Sequence, residues 1–197
     1  MKSASWMVQQ ATAQKNKAVY WYACYGQKAS KELYNYKKQQ YPKQYPPQNQ
    51  YTEESYTKQY GKRAMDCSGL IKYCLWTTSI DGEPKYDATQ DLSANGFINS
   101  GCTQTGPIST IPEIPGLIVW KEGHLGLYIG NGRVIESRGH DYGVVETALK
   151  DRNWLKWGKC KWVEYPSATY TAEQAMADIK KVVDKYYGNI VSTKTTY

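Results

Sequence analysis

Cys67 is the side chain best placed to act as a nucleophile. It stands in Asp66-Cys67-Ser68-Gly69-Leu70 and opens a mainly apolar run over residues 67–78 that reads as a helix. At a helix N-terminus the macrodipole and the free N–H groups favour a thiolate. The same N–H groups can hold the oxyanion that forms when an amide is attacked. Taken alone, this segment favours a buried structural cysteine. Cys74 lies two turns further along, between Tyr73 and Leu75, and reads as structural. So do Cys24, Cys102 and Cys160, which have no acid or base nearby in sequence.

A base and an orienting acid come from a second segment. His124-Leu-Gly-Leu-Tyr-Ile-Gly-Asn-Gly-Arg-Val-Ile-Glu136 predicts two strands around a Gly-Asn-Gly turn. Register decides which side chains meet. A three-residue loop (Gly130, Asn131, Gly132) pairs Ile129 with Arg133 and puts Glu136 opposite Gly126. Glu136 then lies on the His124 face, one diagonal of about 7–8 Å away, and Gly126 leaves room. A two-residue loop would send Glu136 to the other face. In the first register Cys67, His124 and Glu136 form a Cys-His-acid set. The acid fixes the imidazole tautomer, His124 takes the thiol proton, and the thiolate attacks an amide carbon. His140, in the turn Arg138-Gly-His-Asp-Tyr142, competes with Glu136 for the third place and ranks behind it.

The elements that position these residues are legible in outline. Helices are predicted over 4–20, 29–40, 67–78 and 89–98, and strands over 117–120, 125–129, 134–137, 144–147 and 161–165. Residues 171–188 predict a C-terminal helix. It has a capping box at Thr171 and Gln174, an apolar face of Ala175, Ile179, Val182, Val183 and Tyr186, and a stop at Gly188. Helices followed by a strand run indicate α+β with an antiparallel sheet. The Pro/Tyr/Gln-rich stretch 41–51 predicts a loop or polyproline-like segment inside a domain, within an insertion over about 41–60. The 197 residues suit one domain, 1–197.

Composition narrows the class. The chain holds 19 Tyr and 7 Trp but 1 Phe, and rings with polar handles suit grooves as well as cores. The net charge of +7 is diffuse, so a nucleic-acid partner is not expected, whereas phosphate-rich anionic wall polymers are compatible with it. With two histidines far from any cysteine pair and no C-x-x-C, neither metal nor cofactor is expected. No apolar run reaches the roughly 18 residues of a membrane span, and no signal peptide is expected at the start of the sequence.

The two motifs together resemble the NlpC/P60 family of papain-like cysteine peptidases. Asp66-Cys67-Ser68-Gly69-Leu70 is similar to that family's nucleophile motif. His124-Leu-Gly-Leu-Tyr-Ile-Gly-Asn-Gly132 is similar to its His strand and turn, 57 residues on. Tyr20-Trp-Tyr-Ala23 resembles the family's Tyr-x-x-Gly element, and Gly143-Val-Val145 the strand after the turn. The likeness covers about residues 18–165. It implies a papain-like α+β fold with N-terminal helices packed on a central antiparallel sheet. It also implies hydrolysis of peptidoglycan stem peptides, often between γ-D-glutamate and the diamino acid, and hence action at the bacterial wall after leader removal or release by a phage. Tyr20, Asp66 and Ser68 look like the family's groove-lining residues. Three departures stand out: Glu136 where His, Asn or Gln is common, Ala23 for Gly, and the long stretch before Cys67. That insertion could cover the cleft. An amidase at the glycan–peptide junction, an acyltransferase and a non-catalytic wall-binding module are the alternatives.

Overall fold

The computed structural model describes residues 1–166 and, beyond them, positions 176, 180, 183 and 184. The chain divides into two compact units, Met1–Tyr165 and Pro166–Tyr197. The helix expected over 171–188 lies outside the described residues, apart from those positions.

Met1–Tyr165 begins with a short strand β1 (Lys2–Ser3) and helix α1 (Ala4–Gln14), whose first turn is capped by Ser3 Oγ accepting from the Trp6 amide at 3.1 Å. The helix stops well short of residue 20. Asn16 turns left-handed at φ 60°, and its amide donates to the Val144 carbonyl at 2.8 Å, so the chain leaves the helix to meet the sheet. Strand β2 (Tyr25–Lys28) and helix α2 (Lys31–Gln40) follow, with Ser30 as cap.

Residues 41–51 are the expected loop apart from one short turn, and a helix follows within the insertion. The turn is 3-10, Pro42–Gln44, the helix is α3 (Glu53–Thr57), and the insertion folds inward. Tyr45 and Tyr56 are buried with Trp21 and Tyr34 in a separate core, their rings meeting mostly edge-on or tilted at 5.2–6.5 Å. Tyr45 satisfies its own hydroxyl by donating to the Tyr22 carbonyl at 2.8 Å. The Tyr56 hydroxyl accepts from Asn49 Nδ2 at 3.1 Å, whereas the buried Tyr34 hydroxyl finds no partner among the described residues and is an unpaired polar group within this core.

Strand β3 (Arg63–Met65) pairs antiparallel with β2 and leads into α4 (Cys67–Trp76), every residue of which is buried. The helix expected over 89–98 is split. A 3-10 turn at Ala88–Gln90 is capped by Asp87, and α5 (Ala94–Ser100) by Ser93.

Six strands form the main sheet: β4 (Cys102–Pro107), β5 (Ile118–Lys121), β6 (His124–Gly130), β7 (Arg133–Ser137), β8 (Val144–Ala148) and β9 (Lys156–Cys160). Their order is β4-β9-β5-β6-β7-β8, all neighbours antiparallel. β4 carries no apolar alternation because it is an exposed edge. The last strand falls at 156–160 rather than 161–165. Only Val163–Glu164 (β10) remains of the expected segment, pairing parallel with β1.

Alternation along the strands divides the core. Ile118, Trp120, Leu125, Leu127 and Ile135 pack toward α1, α4 and α5, while Leu117, Val119, Tyr128 and Val134 pack on the other face with Trp154 and Trp157. Each such side chain contributes roughly 1.5–3 kcal/mol when fully buried. The fold is α+β, helices on a central antiparallel sheet. Among the described residues no helix is long and apolar enough to cross a membrane.

Candidate active site

Cys67 opens α4, and the residues around it are fixed by backbone needs. Asp66 is the cap: its Oδ1 accepts from the Gly69 amide at 2.6 Å and from Ser68 Oγ at 2.9 Å. Its Oδ2 accepts from the Ala23 amide at 2.9 Å, which ties the helix start to the Tyr20–Ala23 segment. Gly69 permits this approach, since a Cβ there would sit 1.9 Å from the Cys24 carbonyl oxygen. Ala23 is held at φ 57°, a left-handed conformation that favours glycine, which gives the Gly-to-Ala departure a physical cost of about 1 kcal/mol.

The Cys67 sulfur lies against the residues flanking His124. Its Sγ contacts the Gly123 carbonyl at 3.9 Å. Burial pushes the thiol up to about 12, with the Asp66 charge adding to the rise, while the amides of Leu125, Ser68 and Cys67 pull the other way. Burial thus opposes the thiolate that the helix start favours.

β6 and β7 bring Glu136 to His124. The turn has two residues at positive φ, Asn131 (51°) and Gly132 (66°), the form that suits a tight hairpin. The ladder runs Leu127↔Ile135, Tyr128↔Val134 and then Gly130↔Arg133, so Ile129 is bulged out. A two-residue turn plus one bulge gives the register of a three-residue loop. Glu136 faces Gly126, whose missing side chain would meet Glu136 Cβ at 3.3 Å. His124 Nε2 is 2.7 Å from Glu136 Oε2.

Glu136 is fully buried and fully engaged. Arg152 donates Nε to Oε1 at 2.6 Å and Nη2 to Oε2 at 2.8 Å, and Thr147 Oγ1 donates to Oε1 at 2.7 Å. Burial alone would raise the Glu136 pKa, but the bonds from His124, Arg152 and Thr147 outweigh it and hold the carboxyl at about 2. The His124 ring stacks on Trp154 at 5.5 Å with 11° between planes. Sequence reasoning missed Thr147, Arg152 and Trp154. Thr147 could have been found from register, because Glu136 pairs with Val145 and residue 147 is the diagonal neighbour on the same face.

His140 is placed elsewhere. Its ring lies between Tyr51 (4.1 Å) and Tyr56 (4.4 Å), and its Nε2 is 3.0 Å from Ser55 Oγ. Two basins of about 670 and 440 Å³ meet at Cys67, sharing Tyr20, Tyr22, Cys67 and Gly123. Asp66 and Ser68 line the larger one, while His124, His140 and insertion residues such as Gln44, Asn49 and Tyr51 line the smaller. The insertion thus walls the cleft beside Cys67. All five thiols are free, and Cys102 stands opposite Cys160 across β4 and β9. Among the described residues no cluster of three or more His, Cys, Asp or Glu side chains could hold a metal ion.

Several solved structures resemble this fold at low identity. NlpC2 from Trichomonas vaginalis aligns with TM-score 0.46 and 14% identity over 84% of this chain and 48% of its own. The peptidoglycan hydrolase RipB from Mycobacterium tuberculosis aligns with TM-score 0.45 and 19% identity over 82% of this chain and 65% of its own. The P60 domain of an antigen from M. avium subspecies paratuberculosis aligns with TM-score 0.44 and 15% identity over 79% and 93%. The chain therefore spans less than two thirds of the first two of these proteins. No curated protein sequence matches. Residues 53–163, more than half of the chain and both motif segments, match the NlpC/P60 family, and the chain belongs to that family.

Proposed function

We propose that this protein is a cysteine hydrolase that cleaves amide bonds in peptidoglycan stem peptides at the bacterial cell wall, as a γ-D-glutamyl–diamino acid endopeptidase. Family membership supports a hydrolase of wall peptides, and RipB is itself described as a peptidoglycan hydrolase. The observation that carries the reading is the contact chain from Cys67 through the His124 segment to Glu136.

With Nε2 donating to Glu136, the other ring nitrogen, Nδ1, is left as the acceptor for the thiol proton. Burial disfavours a standing Cys67 thiolate, so His124 is assigned the role of general base that takes the thiol proton during attack. The sulfur adds to the amide carbon, and the Cys67 and Ser68 amides at the start of α4 stabilise the oxyanion. His124 then gives its proton to the leaving amine, and water hydrolyses the thioester by the same route. Glu136 holds the tautomer and stays ionised throughout. Tyr20, Asp66 and Ser68 line the groove in which the peptide lies, and basins on both sides of Cys67 suit a substrate that extends past the cut bond. The +7 charge suits the anionic polymers of the wall.

The test is mass spectrometry of purified muropeptides incubated with wild type and Cys67→Ala. Products formed only by the wild type support the reading, and their masses separate endopeptidase from amidase. Unchanged muropeptides with both proteins would remove it.

A further inference from the structure

The larger basin has a rim that peptide hydrolysis does not require. Four tyrosines with exposed rings converge on it: Tyr22 (37% exposed), Tyr36 (53%), Tyr41 (37%) and Tyr86 (52%). Exposed rings gathered in one concave site mark a binding surface rather than chance. The rings are also held in place. The Tyr36 hydroxyl accepts from Gln40 Nε2 at 2.9 Å, and the Tyr86 hydroxyl donates to Asp91 at 3.1 Å. Tyr22 and Tyr41 meet edge-on at 5.3 Å. The buried Lys37 places its ammonium 5.5 and 5.8 Å from the Tyr36 and Tyr41 rings.

The charges in the basin are balanced. Lys72 is paired with Asp91 at 2.6 Å, and Lys37 shares the site with Asp66. A polyanion therefore gains little there. The basin is also lined by two amide side chains: Gln27, whose Oε1 accepts from the Tyr25 amide and whose Nε2 can donate, and Gln40, whose Nε2 donates to Tyr36 and whose Oε1 can accept. Aromatic faces interleaved with amides suit a neutral polyol whose C–H faces stack on rings while its hydroxyls bond to amides.

We propose that this basin binds pyranose rings of a glycan, so that the enzyme prefers peptides still joined to sugar over free stem peptides. The preference for joined substrates rests on the hydrolysis proposed above; the sugar binding does not.

The first arm titrates chitotetraose, with maltotetraose alongside, into isotope-labelled Cys67→Ala protein and follows the shifts by NMR. Shifts at Tyr22, Tyr36, Tyr41 and Tyr86 are expected with chitotetraose. They should weaken about ten-fold or more in a Tyr36→Ala/Tyr86→Ala variant of unchanged melting temperature and persist in Tyr36→Phe/Tyr86→Phe. No saturable shift with either sugar, or shifts only outside the basin, would overturn the proposal. The second arm compares kcat/KM for disaccharide-linked and free stem peptides, and the wild-type preference for the linked form should shrink in the double alanine variant. Equal cleavage of both without sugar binding overturns the sugar site and leaves the hydrolase standing. Sugar binding without cleavage of either substrate supports the site and removes the hydrolase.

Discussion

The chain has two histidines, and both line the same small basin beside Cys67. Their surroundings differ in kind. His124 is held by charge: one nitrogen bonds a buried carboxylate that is itself clamped by Arg152 and Thr147, and the ring stacks on Trp154. His140 is held by rings: Tyr51 and Tyr56 on its faces, with a single hydroxyl, Ser55, at hydrogen-bond distance. A histidine in the first setting keeps one tautomer and can take a proton at the nitrogen left over. A histidine in the second is a packing piece, and burial lowers its pKa so that it favours the neutral form. Location in a cleft does not make a base; the orienting neighbour does.

The widest gap between the two should appear in turnover. His124→Ala should lower kcat on muropeptides by about a thousand-fold, and Glu136→Ala should also lower it strongly, whereas His140→Ala should change it far less. The reverse ranking in a rate assay would dissolve the distinction. Next in size is the clamp. Arg152→Ala leaves a buried carboxylate half paired and should lower unfolding free energy by about 3 kcal/mol, read from urea denaturation.

Acid gives a third comparison. The Glu136 pKa is depressed from 4.5 to about 2, so its contribution is complete above pH 4.5 and is lost as pH falls toward 2, about 3 kcal/mol in all. Glu136→Gln should remove that part of the acid slope while His140→Ala leaves it in place. An identical slope in wild type and Glu136→Gln would contradict the clamp. On the aromatic side, Ser55→Ala should cost about 2 kcal/mol, since it deletes two neutral hydrogen bonds, from His140 Nε2 and to the Thr52 carbonyl, and no charge. The smallest effect belongs to Ala23→Gly, which relieves a left-handed alanine and should raise stability by up to about 1 kcal/mol in thermal melts.

What the sequence disclosed follows the same division between local and distant causes. The Cys67 helix start and the hairpin that carries His124 and Glu136 rest on short-range patterns, and they stand close to where periodicity and turn residues put them. The register agrees with the expected pairing of Glu136 and Gly126, although a bulge at Ile129 replaces the longer loop. Arg152 and Trp154 were invisible because they reach the site only through the sheet's order, which no local pattern encodes. The inward packing of the insertion was invisible for a related reason. Three prolines and repeated Gln and Tyr read as a loop, yet Tyr45 and Tyr56 find Trp21 and Tyr34 across the chain and become a core. The edge strand β4 left no apolar trace because it buries little.

Gly69 has a consequence for how variant libraries of this protein would behave. Its neighbour Cys67 bears the proposed chemistry, but Gly69 bears only the close passage of another backbone. A screen that counts folded molecules should tolerate small replacements such as Cys67→Ser or Cys67→Ala and purge nearly every change at Gly69. A screen that counts product should purge both. Two positions two residues apart in the same motif would then calibrate, within a single experiment, how much of any lost signal is abundance and how much is catalysis.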